Sequence, residues 1–276
     1  MSLLSKSQET IDHLSTIFQS VVHAVHQPRI ADDRTDFGRN AKGDQVRWFD
    51  RVADQAVADY LAKHFPVPTE LLSEEAAPRR FGAEPVYTLV IDPVDGSENY
   101  ARGLQPSGFS IALLPYGASL HIDHVEVAFV GDLTTGQRFF AIRGAGAFAG
   151  SSPIVTSRTA DLGHAVISGD VIGKPIGHGL SDLLPQIKGF RVLGSSVRAL
   201  AAVAGGQLDG HIDTRGLLTP ENFLAASLLI TEAGGCVSAP DGSRLANVTA
   251  LTDGFAILAS ANLGLHQQLI KILSAV

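Results

Sequence analysis

Residues 86–100 read VYTLVIDPVDGSENY, and this stretch decides more about the chain than any other. Val86 to Asp92 is an apolar run of β-forming residues that stops at an acid, the pattern of a buried strand. Pro93 fixes its own φ and Gly96 permits a tight backbone path, so PVDGSEN is predicted as a turn that opens a helix. Asp92 and Asp95 then lie three residues apart across that turn, where two carboxylates and a backbone carbonyl can converge on a hard cation such as Mg²⁺. The amides of Gly96 and Ser97, at a helix start, suit a phosphate group. The plainer alternative is a turn carrying two solvated acids, since Asp, Pro and Gly are common turn formers.

Upstream, Ile11, Leu14, Ile17, Phe18, Val21, Val22 and Val25 fall at helical spacing and predict a helix over 8–26. The polar, Gly-containing segment 31–44 reads as a loop or short hairpin, with Arg39 and Lys42 as solvated charges. A second helix is predicted over 50–64, ended by Pro66 and Pro68, then a short strand at 69–72 leading into Glu74-Glu75. Downstream, strands at 108–115, 124–131 and 137–142 precede the Gly-rich hairpin RGAGAFAG. Residues 1–150 thus read as an α+β lobe, two helices on an antiparallel sheet. Residues 151–276 read as an α/β lobe, with strands at 164–168, 190–193 and 209–213 and helices at 195–205, 220–233 and 263–274.

A chain of 276 residues with 45% apolar and 18% charged residues can bury a large core, as one domain or two joined lobes. The net charge of −7 and the lack of a Lys/Arg run argue against nucleic acid as a partner. They do not argue against an anionic substrate, because bound divalent cations invert the local field. Cys236 is the only cysteine, which excludes an intrachain disulfide; with an N-terminus unlike a secretory leader, it gives a cytoplasmic expectation. No run of 18 apolar residues is present, so no membrane span is expected. The pairs His23/His26 and His121/His124 lack an accompanying metal motif, and Gly173-Lys174-Pro175 lacks P-loop spacing.

IDPVDGSENY resembles the DPxDGTxNF signature of the inositol monophosphatase superfamily, which also holds certain fructose-bisphosphatases and phosphonucleotide phosphatases. Further segments are similar in order and spacing: DQVRWFD at 44–50, LSEE at 72–75, RVLGSS at 191–196, QLDGHID at 207–213 and NFLAASLLITEAGG at 222–235. The resemblance covers nearly the whole chain. It implies the layered α/β sugar-phosphatase fold, with an α+β N-terminal lobe, an α/β C-terminal lobe and a metal site between them. It also implies Mg²⁺-dependent hydrolysis of a small phosphorylated metabolite, of the inositol monophosphate or fructose bisphosphate type. The alternatives are a 3′-phosphonucleotide phosphatase and a weakly catalytic phosphate-binding or regulatory protein. Homodimers are common among such proteins.

Carried over by position, the resemblance makes Glu74, Asp92 and the Val94 carbonyl ligands of a first Mg²⁺. Asp92 bridges to a second, joined by Asp95 and position 222, with two or three ions in all. Ser97, with Asp50, orients the water that attacks phosphorus. The resembled family has Asp at position 222, preceded by Trp, whereas this chain has Glu221-Asn222. An amide oxygen can still ligate Mg²⁺ but carries no formal charge, so occupancy of the second site is in question. Asn222 is compatible with weak ligation, with fewer metals, or with a degenerate site. Thr219 and Pro220 read as N-cap and first helical residue, placing Asn222 in a first helical turn and Glu221 about 100° away from it. Gly96, Ser97, Arg191, Ser195, Asp213 and Arg215 are candidates for binding substrate. The two arginines are equally compatible with structural roles, and Asp213 with simple pairing to Arg215.

Overall fold

The computed structural model describes residues 3–27, 38–40, 42–43, 45–174 and 176–274. Of the predicted polar loop, residues 31–37, 41 and 44 lie outside the described residues, while Arg39 and Gln45 form an isolated antiparallel bridge. The elements, in order, are α1 (Leu3–Val25), α2 (Trp48–His64), β1 (Thr69–Ser73), β2 (Ala76–Phe81), β3 (Tyr87–Asp95), α3 (Ser97–Arg102), β4 (Gly108–Pro115), β5 (Val127–Asp132), β6 (Arg138–Ile142), β7 (Gly146–Ala149) and β8 (Ser152–Pro153). There follow β9 (Val166–Gly169), α4 (His178–Leu183), β10 (Gly189–Arg191), α5 (Ser196–Ala204), β11 (Gly210–Leu218), α6 (Pro220–Glu232), β12 (Cys236–Ser238), β13 (Phe255–Ser260) and α7 (Leu263–Leu273).

Two sheets carry the architecture. The first has strand order β2-β1-β3-β4-β5-β6-β7-β8, and the second β10-β9-β11-β13-β12. The first was predicted as antiparallel; β1 departs from this by pairing with β3 in parallel, Leu71 opposite Leu89. That one parallel pair sets the C-terminal ends of β1 and β3 side by side, which matters for the site below.

Period-two alternation explains why the strands read as continuous apolar runs. Leu89 and Ile91 of β3, Ile111 and Leu113 of β4, and Phe129 of β5 point to one face, packing on Leu14, Phe18, Phe49 and Leu61 of α1 and α2. Val90, Ala112, Leu114 and Val130 point to the other, packing on Val197 and Leu200 of α5 and Phe223, Leu224 and Leu228 of α6. With both faces covered, neither set can be polar. Every residue of α5 is buried, because α5 and α6 lie between the two sheets. α4 and α7 close the far side, through Leu180, Leu183, Leu265 and Leu269 against Ile167, Ile212 and Leu258. Helices and sheets therefore alternate in five layers. Among the described residues no helix is long and apolar enough to cross a membrane.

Gly131 shows how tightly the first interface is packed. A Cβ there would lie 2.2 Å from the Phe18 ring. Gly131→Ala is therefore expected to destabilise the fold by about 1–3 kcal/mol or more, since overpacked cores relax poorly. Denaturant unfolding checks this; an unchanged midpoint would show that α1 yields freely.

Candidate active site

The strand ends bring the acids together. β3 continues past Asp92 to Asp95, where the predicted turn is instead an irregular strand end. Asp92 pairs with Ser110 and Asp95 with Gly108, so β3 carries one extra residue there. Pro93, with no N–H for the ladder, sits inside this bulge. Val94 N–H donates to Asp92 Oδ1 at 2.9 Å, fixing the carboxylate. Gly96 then turns the chain into α3 at φ 81°, and a Cβ there would meet Gly194 O at 2.8 Å, so both conformation and space require glycine.

Other elements deliver their groups to the same place. Glu74 follows β1, and its N–H donates to Ile91 O at 3.4 Å, which sets it beside Asp92. Asp50, in the first turn of α2, accepts the Arg47 N–H at 2.9 Å through Oδ2, while its Oδ1 lies 3.2 Å from the Ser97 hydroxyl. Ser97 Oγ also lies 2.9 Å from Val94 O. Asp95 accepts the Ser195 hydroxyl and, at 2.9 Å, the Val197 N–H from the start of α5. Asn222, in the first turn of α6 as predicted, donates through Nδ2 to Asp92 Oδ2 at 2.6 Å and accepts the Thr219 hydroxyl at 2.9 Å. A cleft of about 390 Å³ is lined by Lys42, Asp50, Glu74, Glu75, Asp92, Val94, Asp95, Gly96, Ser97, Thr219 and Asn222, among others.

Burial and mutual repulsion shape the charge state of this cleft. Asp50 is pushed up to about 7 by burial, against the hydrogen bonds from Arg47 and Ser97. Asp95 is raised to about 7 by burial, although Ser195 and Val197 favour its charged form. Asp92 goes well above the usual carboxylate range, through burial and then the charges of Glu74 and Asp95. Glu75 reaches about 8 by burial and the charge of Asp50, and its Oε2 is buried without a partner. Burial acts to lower Lys42, but Glu221 and Glu74 more than reverse this and raise it above its ordinary value.

Lys42 corrects the expectation of a solvated charge. Its Nζ pairs with Glu221 and, at 3.0 Å, with Glu74, and donates to Thr219 Oγ1 at 2.7 Å. Glu221 is 1% exposed, and the only hint of its role in the sequence is an acid within an otherwise apolar helix face. The softer substrate-side positions lie elsewhere. Arg191 is exposed and its Nη1 donates to Phe190 O at 2.9 Å. Asp213 is fully buried and spends its carboxylate on Arg215, at 2.6 Å from Nη2 and 3.0 Å from Nε. Arg215 also donates to Ile172 O at 2.8 Å, and none of these three residues lines the cleft. Ser195 is buried beneath it, acting through Asp95.

Layered sheets and helices in this arrangement are those of the sugar-phosphatase class. The chain belongs to the inositol monophosphatase family, whose profile matches residues 7–276. It is 28% identical over 242 residues to the fructose-1,6-bisphosphatase/inositol-1-monophosphatase of Methanothermobacter thermautotrophicus, covering 86% of each chain. It is 30% identical over 220 residues to the Nus factor SuhB of Escherichia coli, covering 75% of this chain and 76% of that one. The solved inositol monophosphatase of Anabaena superposes with a TM-score of 0.77 at 25% identity, over 98% of this chain and 96% of the other. The family is one of phosphatases, and the chain is an enzyme of that class.

Proposed function

We propose that the chain is a Mg²⁺-dependent phosphatase acting on a small polyol phosphate, of the inositol monophosphate or fructose bisphosphate kind. The observation that carries this reading is the gathering of buried Asp50 and Asp92 with half-buried Glu74, Glu75 and Asp95 around one small cleft, with the half-buried Lys42 ammonium among them. The donor set is all oxygen, which suits Mg²⁺, and the Glu75 Oε2 is buried with nothing to satisfy it. Among the described residues no three His, Cys, Asp or Glu side chains already stand in ligating geometry. Glu74 pairs with Lys42 at 3.0 Å, and Asp92 accepts from Asn222 at 2.6 Å. Glu74, Asp92, the Val94 carbonyl and Asp95 are the groups proposed to hold the metal. When bound, Mg²⁺ makes water more acidic and neutralises charge developing on the phosphoryl group.

The chain's own contribution centres on Ser97 and Asp50. The Ser97 hydroxyl accepts a hydrogen bond from the attacking water while its own hydrogen turns to Asp50 Oδ1, 3.2 Å away. Burial has set Asp50 near 7, the range in which a general base works best at neutral pH. The cleft volume of about 390 Å³ falls in the range of small-metabolite sites. The single Cys236 accords with a reducing compartment, and the cytoplasm is the proposed location.

Ser97→Ala is expected to lower kcat by about 10²–10⁴-fold, the usual worth of a positioned proton-transfer group, with little change in KM. Asp50→Asn should act similarly, and the double variant should be little worse than either alone, because the two residues form one path. Steady-state phosphate release from inositol 1-phosphate and fructose 1,6-bisphosphate checks this. Full turnover by Ser97→Ala would remove the proposed path.

A further inference from the structure

We infer that Lys42 is a resident cation of the active site, taking the place of one divalent ion, and that Glu221 and Asn222 are the residues that make this possible. The inference rests on the metal-dependent reading above and concerns how many ions that site takes.

Three observations carry it. First, the Lys42 ammonium is held by oxygens from two separate parts of the fold. It meets Glu221 and Thr219 at the start of α6 and Glu74 after β1, with Thr219 Oγ1 at 2.7 Å and Glu74 Oε1 at 3.0 Å. The Lys42 side chain is 14% exposed and that of Glu221 is 0% exposed. An ammonium withdrawn this far from water is tolerated only where several acceptors replace its hydration shell.

Second, donors and acceptors run in one direction from that ammonium to the central acid. Lys42 Nζ donates to Thr219 Oγ1, the Thr219 hydroxyl donates to Asn222 Oδ1, and Asn222 Nδ2 donates to Asp92 Oδ2. Each group uses the polarity the next one needs, so positive charge on Lys42 favours negative charge on Asp92. Third, the 2.6 Å contact between position 222 and Asp92 suits an amide. A carboxylate oxygen there would face another carboxylate oxygen with no hydrogen between them. It would need a proton or a metal ion to hold it. Asn222 closes that contact with no ion at all. Glu221, on the adjoining position of α6, contributes its charge to Lys42.

The consequence is a lower ion count than an all-acid site would have. Replacing Lys42 by Met and Asn222 by Asp changes the cleft by two units of negative charge, the charge of one divalent ion. Mn²⁺ binding to the full chain, counted by equilibrium dialysis, tests this on the natural protein, Lys42→Arg, Asn222→Asp and Lys42→Met/Asn222→Asp, with thermal unfolding of each to verify folding. The double variant is expected to bind one more Mn²⁺ per chain than the natural protein. Lys42→Arg should keep the natural count. Asn222→Asp alone should take the extra ion about tenfold more weakly than the double variant, because the nearby ammonium, held on Thr219, Glu221 and Glu74, still repels it. Should the double variant not fold, that weak extra ion on Asn222→Asp supports the inference, and its absence overturns it. Equal, non-zero counts on the natural and folded double-variant proteins overturn the inference and leave the metal-dependent reading intact. No Mn²⁺ on any folded protein overturns that reading, and the inference with it.

Discussion

Asp92→Asn is expected to lower phosphate release by about a thousandfold or more while leaving the cation-free protein at least as stable as the natural one. The first half follows from the loss of a charged ligand at the centre of the cleft; several kcal/mol of transition-state stabilisation corresponds to that factor. The second half follows from burial. Asp92 is 2% exposed and lies close to Glu74 and Asp95, whose charges oppose its own. A neutral amide of the same shape removes that repulsion; its oxygen still accepts the Val94 N–H, and its NH2 keeps a partner once the Asn222 amide turns its oxygen toward it. Most substitutions of a buried polar group destabilise, so equal or raised stability with lost turnover is the signature of a residue kept for function. Thermal unfolding in chelator, beside phosphate release in Mg²⁺, reads both. A large drop in Tm for Asp92→Asn would assign Asp92 a structural role instead.

The second large effect concerns pH. Asp50 and Asp95 titrate at about 7 and Glu75 at about 8 in the folded chain, against ordinary values of 3.8, 3.8 and 4.5. Between these limits the folded chain holds protons that the unfolded chain has released. The stabilisation from these groups is therefore complete below about pH 4 and is lost as pH rises through 7 to 8. In chelator, Tm is expected to fall by about 5 °C or more between pH 5.5 and pH 8.5, since a chain of this size moves about 2–4 °C per kcal/mol. Mg²⁺ reverses the sign of the local field, so it should raise Tm more at pH 8.5 than at pH 5.5. Thermal scans at both pH values, with and without Mg²⁺, check this. A Tm in chelator that rises across this interval would show that the cleft acids are not the dominant titrating groups.

The strands and helices that were legible in the sequence are those with a strong single-period pattern. α1 shows its inward stripe directly, and β3 to β6 are apolar because both faces of their sheet are covered. β2, at the sheet edge, reads AAPRRF and gave no such signal, for an edge strand is half solvated and can carry Pro78, Arg79 and Arg80. β13, FAILAS, is a short apolar run without alternation, a pattern that does not by itself separate a buried strand from a helical segment. The parallel pairing of β1 with β3 is a tertiary fact that neither strand encodes alone.

Within the site, the acids on one strand and its adjoining turn were legible because DPVDGS holds them within a few residues. Glu74 and Asp50 entered through resemblance, and the structure brings both to the same cleft. Lys42 and Glu221 were not legible. They are separated by 179 residues, and a lysine among Gly and Asn has the composition of a solvated loop. Only the approach of the Lys42 side chain to the start of α6 makes them a pair. Asn222 stood out in the sequence as a departure, but its meaning depends on the contacts around it: an amide is what the 2.6 Å approach to Asp92 accommodates. Arg191 and Arg215 resembled phosphate ligands by type, yet Arg215 is taken up by Asp213 and Arg191 by its neighbouring carbonyl.

The most direct test of metal-dependent phosphate release is a Mg²⁺ titration of the natural protein. Inorganic phosphate would be followed from inositol 1-phosphate and fructose 1,6-bisphosphate, starting from chelator-treated protein. The expected result is no release in chelator, saturable release as Mg²⁺ is added, and release lower by about a thousandfold or more at every Mg²⁺ concentration for Asp92→Asn. Release in chelator equal to that in Mg²⁺, or no release from either substrate at saturating Mg²⁺, would contradict the account.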